Sequence, residues 1–237
     1  MILQPGGFAP HPLSLTELDN RQDRLLIQMF FLHPKAGLCP NGAWMKMESL
    51  TDLLIDGLQE ASDAEQQLLE VLPTMSRVAS SEELQEDFSL HAEQTGAQLK
   101  RVENILNELH AKPIGGEPAE GMRGIIAEAD RLIAEAPQTD PAVFDAALIA
   151  VAQRAEHYQI AVYGTLRTYA QILGATEALE PLRLTLNEEV EMDRKLTALA
   201  ETAVNLDAAE ADEQLQQEAI GEAEGSNAGE LSGSPIK

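Results

Sequence analysis

Residues 140–176 read DPAVFDAALIAVAQRAEHYQIAVYGTLRTYAQILGAT. Asp140 carries a side chain that accepts hydrogen bonds from the free N–H groups of a helix start, and Pro141 has the fixed φ suited to the first helical position. Apolar residues then recur at three-to-four spacing as far as Leu173, the mark of a helix with one buried face. Gly174 supplies the left-handed residue that ends a helix. Thr176 starts another after a link of two or three residues, and this second helix is predicted to run to about Asn205, with a kink at Pro181. So short a link forces the two helices antiparallel.

The same reading extends upstream. A helix is predicted from about Glu48 to Leu72, stopping at Pro73. Another opens at Ser80, with Glu83 completing a capping box, and runs to about Ala111. These two also form a hairpin, joined by about seven residues. Between the hairpins lie about 29 residues: a Gly- and Pro-containing loop over 112–121 and a short helix over about 122–136. Two antiparallel hairpins joined by one long crossover define an all-α, ferritin-like four-helix bundle.

Composition agrees. Of 237 residues, 44% are hydrophobic but only 4% aromatic, and the helix formers Ala, Leu, Glu and Gln dominate. Charge divides the chain into three parts. Residues 1–44 are neutral overall and rich in proline. They are expected to be either a poorly ordered extension or a gene-prediction artefact upstream of a start at Met45 or Met47. Residues 45–206 form the bundle and carry −17, and residues 207–237 carry −7 and are expected to form an acidic disordered tail, helical at most at its start. The net charge of −24 repels phosphate backbones and anionic lipid, so no nucleic-acid or membrane partner is expected. A single cysteine, Cys39, excludes an intramolecular disulfide and suits a cytoplasmic location. The apolar run over 25–32 is too short to span a bilayer.

Each predicted buried stripe is apolar at both ends and polar in the middle. The stripes read Leu54, Leu58, Ala61, Glu65, Leu68, Leu72; then Leu84, Phe88, His91, Thr95, Leu99, Val102, Leu106; then Ile149, Ala152, Glu156, Gln159, Tyr163, Leu166, Ala170; then Leu182, Leu186, Glu189, Asp193, Leu196, Ala200. At about 1.5 Å rise per residue, the polar positions within each hairpin agree in height to about 6 Å. Glu65, His91, Glu156, Glu189 and Asp193 are therefore candidate metal ligands in one central layer. Buried carboxylates need protons or a cation, and oxygen donors with one imidazole suit iron or manganese. The Glu-x-x-His motif usual in such bundles is absent: three residues before His91, His110 and His157 stand Phe88, Asn107 and Arg154. His157 points about 100° away from Glu156 on the helix and reads as a surface residue.

The runs 63–68 (DAEQQL), Phe88-x-x-His91-x-x-x-Thr95, 156–166 (EHYQIAVYGTL) and 185–189 (TLNEE), with Asp193 and 196–197 (LT) downstream, resemble the YciE/YciF-like branch of the ferritin-like superfamily over about residues 47–204. The resemblance implies a four-helix bundle, a homodimer and a dinuclear metal centre, in proteins associated with bacterial stress responses. This chain departs from it at Gln159 and Gln94, where the family usually carries carboxylates; if relatives bind metal there, this chain holds one metal or none. The function expected is that of a stress-associated, carboxylate-rich iron or manganese protein handling iron or peroxide. The alternative is a metal-free helical dimer serving as a scaffold.

Overall fold

A computed structural model describes residues 48–112 and 118–230. The expectation for residues 1–44 lies outside the described residues. Helix α1 spans Leu50–Val78, α2 Glu82–Glu108, α3 Glu120–Glu135, α4 Pro141–Leu173, α5 Thr176–Leu199 and α6 Asn205–Glu230. A 3₁₀ turn, Ala136–Gln138, follows α3, and a π turn, Ala200–Val204, joins α5 to α6. Helices α1 and α2 form one hairpin and α4 and α5 the other; α1 packs on α4 and α2 on α5. The crossover helix α3 lies against α1 and α4. This is the ferritin-like bundle expected from the loop lengths.

Local chemistry explains most helix ends. Ser49 Oγ accepts from the Asp52 N–H at 3.1 Å. Asp140 Oδ1 accepts from the N–H groups of Ala142 (2.9 Å) and Val143 (3.3 Å), with Pro141 behind it as the first helical residue. Gly174 adopts φ 66°, the left-handed cap that its sequence position predicts. Elsewhere the bounds shift. The N-cap of α2 is Ser81, one residue later than expected, and α2 ends at Glu108. Helix α5 begins after Ala175 with no side-chain cap.

Two larger differences concern helix length. Helix α1 does not stop at Pro73 but continues to Val78. Pro73 sits on the exposed face, so water can satisfy the carbonyl its ring leaves free, while Met75 in the next turn is buried and repays the continuation. The second hairpin likewise continues past Asn205, through the π turn, into α6. Ala200 and Val204 within that turn are buried, and α6 packs on α4.

The core has two apolar zones. One gathers Leu68, Leu72, Phe88, Leu148, Ile149 and Leu196, and the other Leu54, Leu58, Val102, Leu106, Leu166 and Leu182. The polar middle of the stripes lies between them.

Candidate metal centre

Four of the five predicted site residues meet in this middle layer. Helix α1 supplies Glu65, α2 His91, α4 Glu156 and α5 Glu189, each at most 2% exposed. Each lies within one turn of a buried apolar residue on its own stripe, so the packing that buries the stripe carries the polar side chain in with it. His91 Nδ1 lies 3.1 Å from Glu156 Oε1, and His91 Nε2 lies 3.7 Å from Glu189 Oε2. Ligand atoms of His91, Glu156 and Glu189 all lie within 4.8 Å of one another.

Asp193 stands apart. Its side chain is 20% exposed, accepts from Gln153 Nε2 at 3.3 Å and lies 3.8 Å from His157 Nε2. After Glu189 the stripe advances by three residues rather than four, so Met192 takes the buried position. The same choice replaces Leu99 with Gln98 in α2 and Leu186 with Thr185 in α5. His157 is mostly exposed, as its angle on the helix implies.

Around the cluster stand further partners: Tyr163 and Gln159 lie on the stripe the sequence predicts, while Arg101, Glu188, Thr185 and Gln98 were missed. The Tyr163 hydroxyl, fully buried, donates to Glu65 Oε1. Gln159 is fully buried beside them, with neither amide atom in a well-aligned hydrogen bond. Arg101 on α2 donates to both Glu188 oxygens on α5, at 2.6 and 2.8 Å, and to Thr185 Oγ1 at 2.9 Å. Gln98 Nε2 donates to Glu188 Oε2 at 3.1 Å. Opposite charges at one level on facing helices were the available signal, but each residue read alone as solvated surface.

Electrostatics mark the layer as costly. Burial lowers His91 to about 4, so its imidazole is neutral. Burial pushes Glu156 up to about 8; a bond with Glu189 works against this, and the charges of Asp193 and Glu65 add to it. Burial and the Glu156 charge raise Glu189 well above the usual carboxylate range. Burial and the Glu189 charge do the same for Glu65, against the Tyr163 bond, the Arg101 charge and Gln159. Both oxygens of Glu156 and of Glu189, Glu65 Oε2 and both His91 nitrogens lack a well-aligned hydrogen bond. Buried polar atoms are seldom left so. A divalent cation would satisfy them, so the donor set fits one.

A small cavity with room for about one water-sized molecule reaches His91 and Glu156. Its walls are otherwise apolar, among them Leu68 and Met75 from α1 and Ile125, Ile126 and Ala129 from α3.

Bundle and buried cluster together define a helical protein of the ferritin-like class with a His/Glu/Glu site at its centre. Residues 49–209 match the sequence family described as "Domain of unknown function (DUF892)", and the chain belongs to that family. It is 39% identical over 161 residues to the Escherichia coli K12 protein YciF, covering 68% of this chain and 96% of that protein. The crystal structure of YciF, described as a stress protein, superposes with a TM-score of 0.63 over 67% of this chain and 99% of that one. A Rhodopseudomonas palustris protein, YcfI, proposed to be structural, is 36% identical with a TM-score of 0.60 over 64% and 95% of the two chains. A Xanthomonas campestris protein at 22% identity and a TM-score of 0.55, over 70% and 99%, shares the fold. Among the described residues no helix is long and apolar enough to cross a membrane.

Proposed function

We propose that this protein is a cytoplasmic, stress-associated metal protein that holds iron or manganese in the bundle core and handles iron or peroxide there. One observation carries the reading: His91, Glu156 and Glu189 gather in a buried layer with none of their ligand atoms in a well-aligned hydrogen bond. The stress association comes from the likeness to YciF. The Lewis acid and redox chemistry would be the metal's own. The chain's part is to hold His91 neutral and to present carboxylates that shed protons to a cation. The walls of the cavity beside His91 and Glu156 are otherwise apolar and offer a cation no competing ligand.

The experiment is metal loading of the full chain, purified without chelator and exposed anaerobically to Fe²⁺ and separately to Mn²⁺. Bound metal is expected with either ion. Glu189→Gln should weaken binding by more than the roughly 10–100-fold that loss of an outer-shell partner costs, while circular dichroism stays helical. A chain that takes up no metal overturns the proposal. It would favour the second reading, a metal-free helical homodimer acting as a scaffold, for which the likeness to the Rhodopseudomonas protein speaks.

A further inference from the structure

We infer that the layer holds a single divalent cation, on His91, Glu156 and Glu189, and that the Arg101 guanidinium takes the charge-balancing place of a second one. The inference rests on the metal reading above and fixes its stoichiometry. Three observations support it independently of the family.

The first is geometric. Ligand atoms close enough to gather round one ion come from His91, Glu156 and Glu189, and Glu65 is not in that group. Glu65 is turned to a different neighbour: one of its oxygens is taken by the Tyr163 hydroxyl.

The second is the donor chemistry on the Glu65 side. A second ion there would meet the free Glu65 oxygen and the amide of Gln159. A neutral amide is a weaker ligand than a carboxylate and brings no charge to the ion. Gln98, the other buried amide of this layer, donates its NH₂ group to Glu188 and has only its carbonyl oxygen free, a neutral donor like that of Gln159.

The third is charge. Arg101, held bidentate by Glu188, is a fixed cation at the edge of the layer that holds Glu65, Glu156 and Glu189. Its charge reaches Glu65 and Tyr163. A second divalent ion on the Glu65 side would meet that positive charge, and like charges repel most strongly where burial excludes solvent.

Native mass spectrometry and elemental analysis of the full chain, titrated anaerobically with Mn²⁺ and with Co²⁺, test this. One ion per chain is expected, and the Mn²⁺ protein should give the hyperfine-split resonance of an isolated ion rather than that of an exchange-coupled pair. Two ions per chain, or a coupled spectrum, would overturn the single-site inference and leave the metal reading standing. No bound ion would overturn both. The double variant Gln159→Glu with Arg101→Gln restores a carboxylate and removes the internal cation, and is expected to take up two ions per chain. If it folds and still binds one, the roles given to Gln159 and Arg101 are wrong. The wild-type count decides the stoichiometry whether or not that variant folds.

Discussion

Asp145 shows how much one buried carboxylate does away from the central layer. Only 2% exposed on α4, it accepts the N–H of Ser80 at 2.9 and 3.1 Å and that of Ser81 at 2.7 Å. It thereby ties one hairpin to the other and places a negative charge at the N-terminal end of α2. Asp145→Ala leaves two N–H groups unpaired and should cost about 2–3 kcal/mol, read as a lower urea midpoint with an unchanged m-value. A change below about 0.5 kcal/mol would mean that water reaches those groups. Residues of this kind were hard to read from sequence, because an Asp inside an apolar helix gives no sign of its partner. The site residues divide in the same way. Glu65, His91, Glu156 and Glu189 were legible because each interrupts an otherwise apolar stripe. Asp193 was misplaced because three- and four-residue steps both continue a helical stripe, and only packing against the neighbouring helices selects Met192.

At the scale of elements, the crossover helix α3 is the piece on which access to the site depends. Its start is fixed by Asp63 of α1, which accepts the Ala119 N–H at 2.8 Å. It is also braced by Tyr158 of α4, whose hydroxyl donates to Glu60 Oε1 at 2.6 Å. Gly121 permits the close approach: a Cβ there would lie 2.7 Å from Tyr158 Cε2. The ring cannot swing aside without losing Glu60, so Gly121→Val should lift α3 from the bundle at a cost of about 1–3 kcal/mol. Hydrogen exchange should quicken over Glu120–Glu135 while α2 and α5 keep their protection. Unchanged exchange would show that Tyr158 does not hold the helix. The elements themselves were largely written in the chain: Asp140-Pro141, Gly174 and two short links determine the hairpins. What failed were the stops. Pro73 does not end α1 and Asn205 does not end the last long helix, since the packing of Met75 in one case and of Ala200 and Val204 in the other outweighs local propensity.

For the whole molecule, the central layer makes stability a function of pH and metal together. Glu156 has a folded value raised to about 8 from 4.5, so its contribution is fully present below pH 4.5 and is lost as pH rises through 8. His91 works in the opposite sense. Its folded value is lowered to about 4 from 6.5, so its contribution is present above pH 6.5 and is lost as pH falls towards 4. Glu65 and Glu189 are raised and reinforce Glu156. From pH 6.5 to 8 the folded imidazole stays neutral and the unfolded one sheds only its remaining half proton, so the carboxyl groups dominate the slope. The metal-free protein should therefore lose stability across that window, by about 2 kcal/mol for one retained proton. A bound cation takes the place of that proton. Saturating Mn²⁺ should flatten the slope and raise the stability at both pH values, because the growth of affinity as the protons leave offsets the metal-free loss and binding to the folded state alone adds stability. Thermal melts at pH 6.5 and pH 8, each in chelator and in excess Mn²⁺, measure both slopes. Falling stability in chelator with higher, nearly pH-independent stability in Mn²⁺ is the expected pair. A metal-free protein that gains stability from pH 6.5 to 8 would mean that the layer keeps its carboxylates ionised without a cation, and the physical reason for a metal at its centre would be gone.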